Sequence, residues 1–176
     1  MIARTCFACC LAGLAGLAPT LGSAETIGRI TASIDGAEER TFYANMIDGE
    51  SQSFWVETMP GSLSHSGFGI WANPEEGVNA QDDVLILGGT LIRGPSGYVA
   101  VGDAQYLESG FTEYWTAEDE GLVAFEITRA EIVDDALVVE GSFVAPLTYA
   151  EGADAVLDLS RQITVTGSFE ATLPKN

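Results

Sequence analysis

Across 176 residues the chain carries 26 Asp and Glu against seven Lys and Arg, with three cysteines and one histidine. Binding to nucleic acid exchanges phosphate counterions for cationic side chains, so with so few cations neither nucleic acid nor an anionic lipid surface is an expected partner. All three cysteines, Cys6, Cys9 and Cys10, fall within the first 24 residues, and a chain without that segment has no disulfide, thiol nucleophile or Cys-ligated zinc.

That first segment reads as a secretory signal peptide. Arg4 precedes an apolar run from Cys6 to Leu21, and the small residues Gly22, Ser23 and Ala24 predict cleavage after Ala24. The run is shorter than the about 20 apolar residues that a transmembrane helix needs. The cysteines come too early to follow a lipoprotein's apolar stretch. Residues 25–176 are therefore expected to form one domain, periplasmic or extracellular and not inserted in a membrane. Without Arg4, six Lys and Arg face 26 Asp and Glu, a net charge of −20. The acids are spread among turns, which suits a solvated surface whose favoured companions are water, cations and basic partners. A domain of this size hides roughly 70% of its unfolded surface, enough to hold without staples.

In chain order, TIGRITASIDGAEERTFYANM reads as two strands joined by a turn at Asp35 and Gly36, with Ile30, Ala32 and Ile34 on one face. Phe54, Trp55 and Val56 make a short aromatic strand stopped by Pro60 and Gly61. SLSHSGFGIWANP is expected to be another strand, closed by Pro74 and an acidic loop. The continuous apolar run Val84 to Leu87 has the pattern of a strand covered on both faces, and Gly88 with Gly89 argues against a helix there. YVAVGDAQYL follows a Gly-Pro-Ser-Gly turn, and TEYWTA is a second aromatic segment. LVAFEITRAEIV keeps some 3.6-residue spacing through Ala124, Ile127 and Ala130, but its β-branched content predicts a long strand.

One strand pattern is written twice. LVVEGSFVAPL (Leu137 to Leu147) and ITVTGSFEATL (Ile163 to Leu173) align without a gap, and strict alternation gives each an oily and a wet face. The matched glycines predict a bulge or a large neighbour crossing the backbone. The connection from Thr148 to Gln162 is long for a hairpin and predicts a crossover or functional loop, with room for a helical turn around Ala155 to Leu159. Nine to eleven strands with regular turns predict an all-β fold, an antiparallel β-sandwich of jelly-roll or Ig-like kind, with a closed up-and-down barrel as the alternative.

The sequence offers little catalytic chemistry. His65 has serines on both sides, but neighbours on a strand face opposite ways, so it reads as an ordinary strand residue. Glu57, Glu113 and Glu126 could be placed for glycoside hydrolysis, though with 26 acids chance supplies such positions. Asp82 with Asp83, and Asp134 with Asp135, are the candidate oxygen ligands for calcium, without the spaced pattern of an EF-hand. Trp55, Trp71, Trp115 and Tyr114 lie near strand ends or turns and are the candidate sugar platform, since a flat ring gives contact area at little rotamer cost. The expectation is a non-enzymatic binding or interaction module without a cofactor, its partner an unspecified protein or glycan. A carbohydrate-binding protein or weak carboxylate-based glycosidase, and a calcium-stabilised structural domain, are the alternatives.

Overall fold

A computed structural model of the chain describes residues 23–119, 121–152 and 156–176. The described residues form eleven strands: β1 (Ala24–Ile34), β2 (Arg40–Ile47), β3 (Glu50–Ser51), β4 (Phe54–Val56), β5 (Gly67–Asn73), β6 (Val84–Gly94), β7 (Gly97–Ser109), β8 (Glu113–Thr116), β9 (Ala124–Val133), β10 (Ala136–Glu151) and β11 (Val156–Leu173). Every strand pair is antiparallel and all belong to one sheet. The expected all-β antiparallel class is therefore present, but its facing layers are opposite walls of a single sheet.

That sheet returns on itself. Following hydrogen bonds gives β2-β1-β11-β10-β8-β7-β6-β5, and β5 pairs back to β2 through Tyr43↔Asn73 and Ala44↔Ala72. The order is up-and-down and barrel-like. β8 and β9 run in the same direction along β10, with Thr116 opposite Thr148 and Ala124 opposite Val144. They are one line of chain interrupted by an excursion over residues 117–123. Glu118 fastens the excursion by accepting hydrogen bonds from Thr148 Oγ1 (2.6 Å) and Gln162 Nε2 (3.2 Å).

The two copies of the repeated pattern lie side by side, Leu137 opposite Leu173 and Leu147 opposite Ile163. Their oily faces line the inside of the ring, where Val139, Phe143, Ala145, Val165, Phe169 and Ala171 are buried. Phe68 of β5 reaches across to stack on Phe169 at 6.3 Å, and Phe125 of β9 meets both edge-on at 6.2 Å. A ring of eight strands is about wide enough for side chains to fill, and this phenylalanine cluster fills its middle. A smaller core on the outer face buries Val84, Leu107, Tyr114 and Ala150, with Trp71 and Ala80 against it. This is the physical sense of the unbroken Val84 to Leu87 run: Leu85 and Leu87 face the ring interior while Val84 and Ile86 face the outer core.

Two turns show how acidic residues close this sheet. Asp35 and Gly36 both have positive φ (+51° and +75°), with Ala37 N donating to Ile34 O at 3.0 Å, the twist that a tight antiparallel hairpin favours. Asp134 and Asp135 do the same between β9 and β10, at +50° and +66°.

Three expectations change. The Thr148–Gln162 connection is no crossover: β10 and β11 continue it as a hairpin to Glu151↔Val156, and residues 156–159 are strand, not helix. Ala155 lies outside the described residues, as do residues 1–22 of the expected leader. Of that leader, Ser23 O accepts from Asp48 N at 3.1 Å and Ala24 opens β1 opposite Ile47. His65 is not on a strand. It sits exposed in the turn before β5 at φ +71°, its amide donating to Leu91 O, because the chain must reverse there to let β5 begin at Gly67.

Candidate functional site

The four aromatics expected to form a platform are dispersed. Trp55, on β4, is 1% exposed and donates from Nε1 to Asp135 O at 3.1 Å, so it belongs to the core. Tyr114 is buried in the outer core, and Trp71 lies against it with a buried indole N–H that has no hydrogen-bond partner among the described residues. Trp115 packs against the same inner core as Trp55 but is only half-buried, at the rim of the ring.

The reason is register. Trp115 stands directly opposite Tyr106 on β7 and Tyr149 on β10, so three aromatic residues form one row across three neighbouring strands. Trp115 and Tyr149 meet edge-on at 5.3 Å. Side chains directly opposite in an antiparallel pair are about 4.5–5.5 Å apart, close enough for such rings to touch.

The row forms part of a cleft of about 300 Å³ at the rim, lined by Ile34, Arg40, Tyr106, Glu108, Trp115 and Ile163 among others. Its polar groups are held in place. Arg40 is ion-paired with Asp83, and Tyr106 Oη donates to the other oxygen of that carboxylate at 2.7 Å. Burial first, and then the bond to Asp83, push the Tyr106 hydroxyl up to about 12, while Arg40 works in the opposite direction. The phenol therefore remains a neutral donor at any ordinary pH. Trp115 Nε1 donates to Glu108 Oε2 at 3.2 Å, which fixes the tilt of the indole. One guanidinium, one phenol, an indole and the carboxylates of Glu38 and Glu108 thus surround an aliphatic floor of Ile34 and Ile163, with Asp83 bonded to Arg40 and Tyr106. Such a set can grip a small ring by one apolar face while offering donors and acceptors to its edge.

Asp83 is engaged by Arg40 and Tyr106. Asp134 and Asp135 form their turn at the far end of β10, away from Asp82 and Asp83, so the four are not brought together. Among the described residues no three His, Asp or Glu are grouped to hold a metal ion. Glu57 is also engaged: Lys175 Nζ is 2.6 Å from it and, with the Gly61 amide, holds its carboxyl below the usual range.

No family model, curated protein or solved structure matches this chain. Function therefore has to be argued from the site.

Sequence reasoning reached Trp115 and Asp83 but missed Arg40, Tyr106, Glu108, Ile34 and Ile163. The scarcity of cations was the available signal: in a chain with seven Lys and Arg, an arginine beside an aromatic strand is worth notice. Nothing local could show that Tyr106, Trp115 and Tyr149 share a row, since this depends on the pairing of β7, β8 and β10.

Proposed function

We propose that the protein is an exported binding module that holds a small hydroxylated ring compound, a saccharide in the first instance, in the rim cleft. The observation that carries this reading is the aromatic row centred on half-buried Trp115, next to the fixed polar set of Arg40, Tyr106 and Glu108. A pyranose has an apolar face for an indole and hydroxyls for guanidinium and carboxylate groups, and the cleft offers both kinds of partner within one small volume. Binding without turnover follows from how the carboxylates are occupied. Asp83 is taken by Arg40 and Tyr106 and Glu108 accepts the Trp115 N–H, which leaves Glu38 as the one carboxylate lining the cleft that no described residue engages. A glycosidase needs a pair of carboxyls free to face the scissile bond. The expected leader supports export.

Titration with a panel of neutral oligosaccharides, followed by tryptophan fluorescence, tests the reading. Trp115→Leu should abolish the response to whichever sugar binds, and no reducing sugar should be released on long incubation. A panel without any binder, or binding that survives Trp115→Leu, would sink it.

A further inference from the structure

A second cleft opens beside the first, at the end of the β10–β11 hairpin. It has a volume of about 430 Å³ and is lined by Tyr149, Glu151, Val156, Leu157, Asp158 and Arg161 among others. Arg161 lies in it in an unusual way. Its guanidinium carbon is 3.5 Å from the centre of the Tyr149 ring and 5.3 Å from that of Trp115, so the cation rests where the two rings meet edge-on. In a chain so rich in carboxylates, Arg29, Arg40, Arg129 and Lys175 all make ion pairs, whereas Arg93 and Arg161 make none with a described carboxylate and lie over aromatic rings, Arg161 much the closer at 3.5 Å against 5.9 Å. The aromatic pair holds it, with the Asp158 carboxylate, its pKa lowered chiefly by the bonds from Ser160, near enough to be lowered further by the Arg161 charge. Asp158, three residues away, is turned to its neighbour, accepting from the Ser160 amide and hydroxyl at 3.0 and 2.6 Å.

Tyrosine and tryptophan faces attract cations through the ring quadrupole, and guanidinium is the commonest occupant in proteins. Acidic side chains beside such rings add to the attraction without contacting the rings themselves. The cleft supplies Glu151 and Asp158, and the expected mature surface carries a net charge of −20. We propose that the Tyr149–Trp115 pair is a cation-binding cage for an arginine side chain of a basic polypeptide partner, and that Arg161 is its internal placeholder. The partner's arginine exchanges with Arg161, which is exposed and free to swing away. An intramolecular occupant lowers the apparent affinity for an outside one by the fraction of time the cage stands open. The overall field favours the encounter, and its contribution fades with salt. The site shares Trp115 with the saccharide reading but is built on Tyr149 and Arg161, neither of which lines the rim cleft, so the two readings can fail independently.

The test titrates the full chain with a short arginine-peptide amide and with a glutamate peptide, by calorimetry. Arg161→Ala should bind the arginine peptide about tenfold tighter than the wild type. Tyr149→Leu in that background should return the affinity to the wild-type level or below. Glu151→Gln, at an exposed position outside both cores, should weaken binding several-fold while leaving the fold intact, and the glutamate peptide should not bind. Equal affinity of wild type and Arg161→Ala overturns the proposal. So does a gain that survives Tyr149→Leu, since it would reflect the general acidity of the surface, and so does indifference to Glu151→Gln.

Discussion

Gly141 and Phe169 face each other directly across β10 and β11, and Gly167 and Phe143 face each other one step further along. Each copy of the repeated strand thus supplies the glycine that the phenylalanine of the other needs. A Cβ on Gly141 would lie 2.4 Å from Glu126 O and 3.0 Å from the Phe169 ring, and the first of these is backbone that cannot step aside. The bulge opposite, where Arg129 pairs with Glu140 but Ile127 with Gly141, pushes that carbonyl inward.

Gly141→Ala should therefore destabilise the fold by about 1–3 kcal/mol, as overpacking does. Phe169→Ala, which empties the middle of the ring, should cost about 3–5 kcal/mol. Urea denaturation of the two variants checks both values, and a neutral Gly141→Ala would show that β9 can move away from β10.

Glu140 and Glu170 are also directly opposite one another, on the outer face, with Arg129 beside the first and Arg29 beside the second. Arg129 Nη1 is 2.8 Å from Glu140, whereas Arg29 Nη1 is 4.0 Å from Glu170, so the second carboxylate is the less well compensated. Glu170→Gln should raise stability by roughly 0.2–0.5 kcal/mol at low salt, with the gain shrinking as salt is added. Thermal melts at two ionic strengths would show it.

The Tyr106 hydroxyl gives a pH dependence of known sign. Its folded value of about 12 lies above the ordinary 10.0, so the folded state holds its proton longer than the unfolded chain. This contribution to stability is complete below pH 10 and is lost as the pH rises from 10 towards about 12. An alkaline absorbance titration should show a tyrosine step near pH 12, and Tyr106→Phe should remove that late step.

The C-terminal residues act as a latch on β4. Trp55 N donates to Pro174 O at 3.0 Å, Asn176 N donates to Trp55 O at 2.9 Å, and Lys175 reaches both Glu57 and the Trp55 ring. Deleting Pro174 to Asn176 removes the partners of two backbone groups on a buried residue, each worth about 1–3 kcal/mol when left unmade. The truncated protein should melt well below the full chain, with Trp55 emission shifted to the red.

Periodicity made the walls of this fold legible, because alternation reports which face a strand buries whatever it pairs with. The twin strands, the Asp35–Gly36 turn and the doubly covered Val84 to Leu87 run were all of this kind. Closure of the sheet was legible only as the alternative of an up-and-down barrel, since it depends on two residue pairs between β2 and β5, about thirty residues apart in the chain. The same limit hid the rim cleft. Trp55 and Trp115 look alike in sequence, each in a short aromatic strand, yet one is sealed behind the C-terminal latch and the other stands at the open rim. His65 misled for a different reason: alternation continued through a turn whose left-handed residue is not a glycine.

The central claim, that the rim cleft around Trp115 is the binding site, is tested most directly by NMR titration of the labelled protein with the sugar that quenches its fluorescence. The Trp115 indole N–H and the Ile34 and Ile163 methyls should shift together in a saturable way, while the indoles of Trp55 and Trp71 stay in place. Shifts centred on Trp71 of the outer core and on exposed Phe111 beside it, with the rim resonances unmoved, would contradict it.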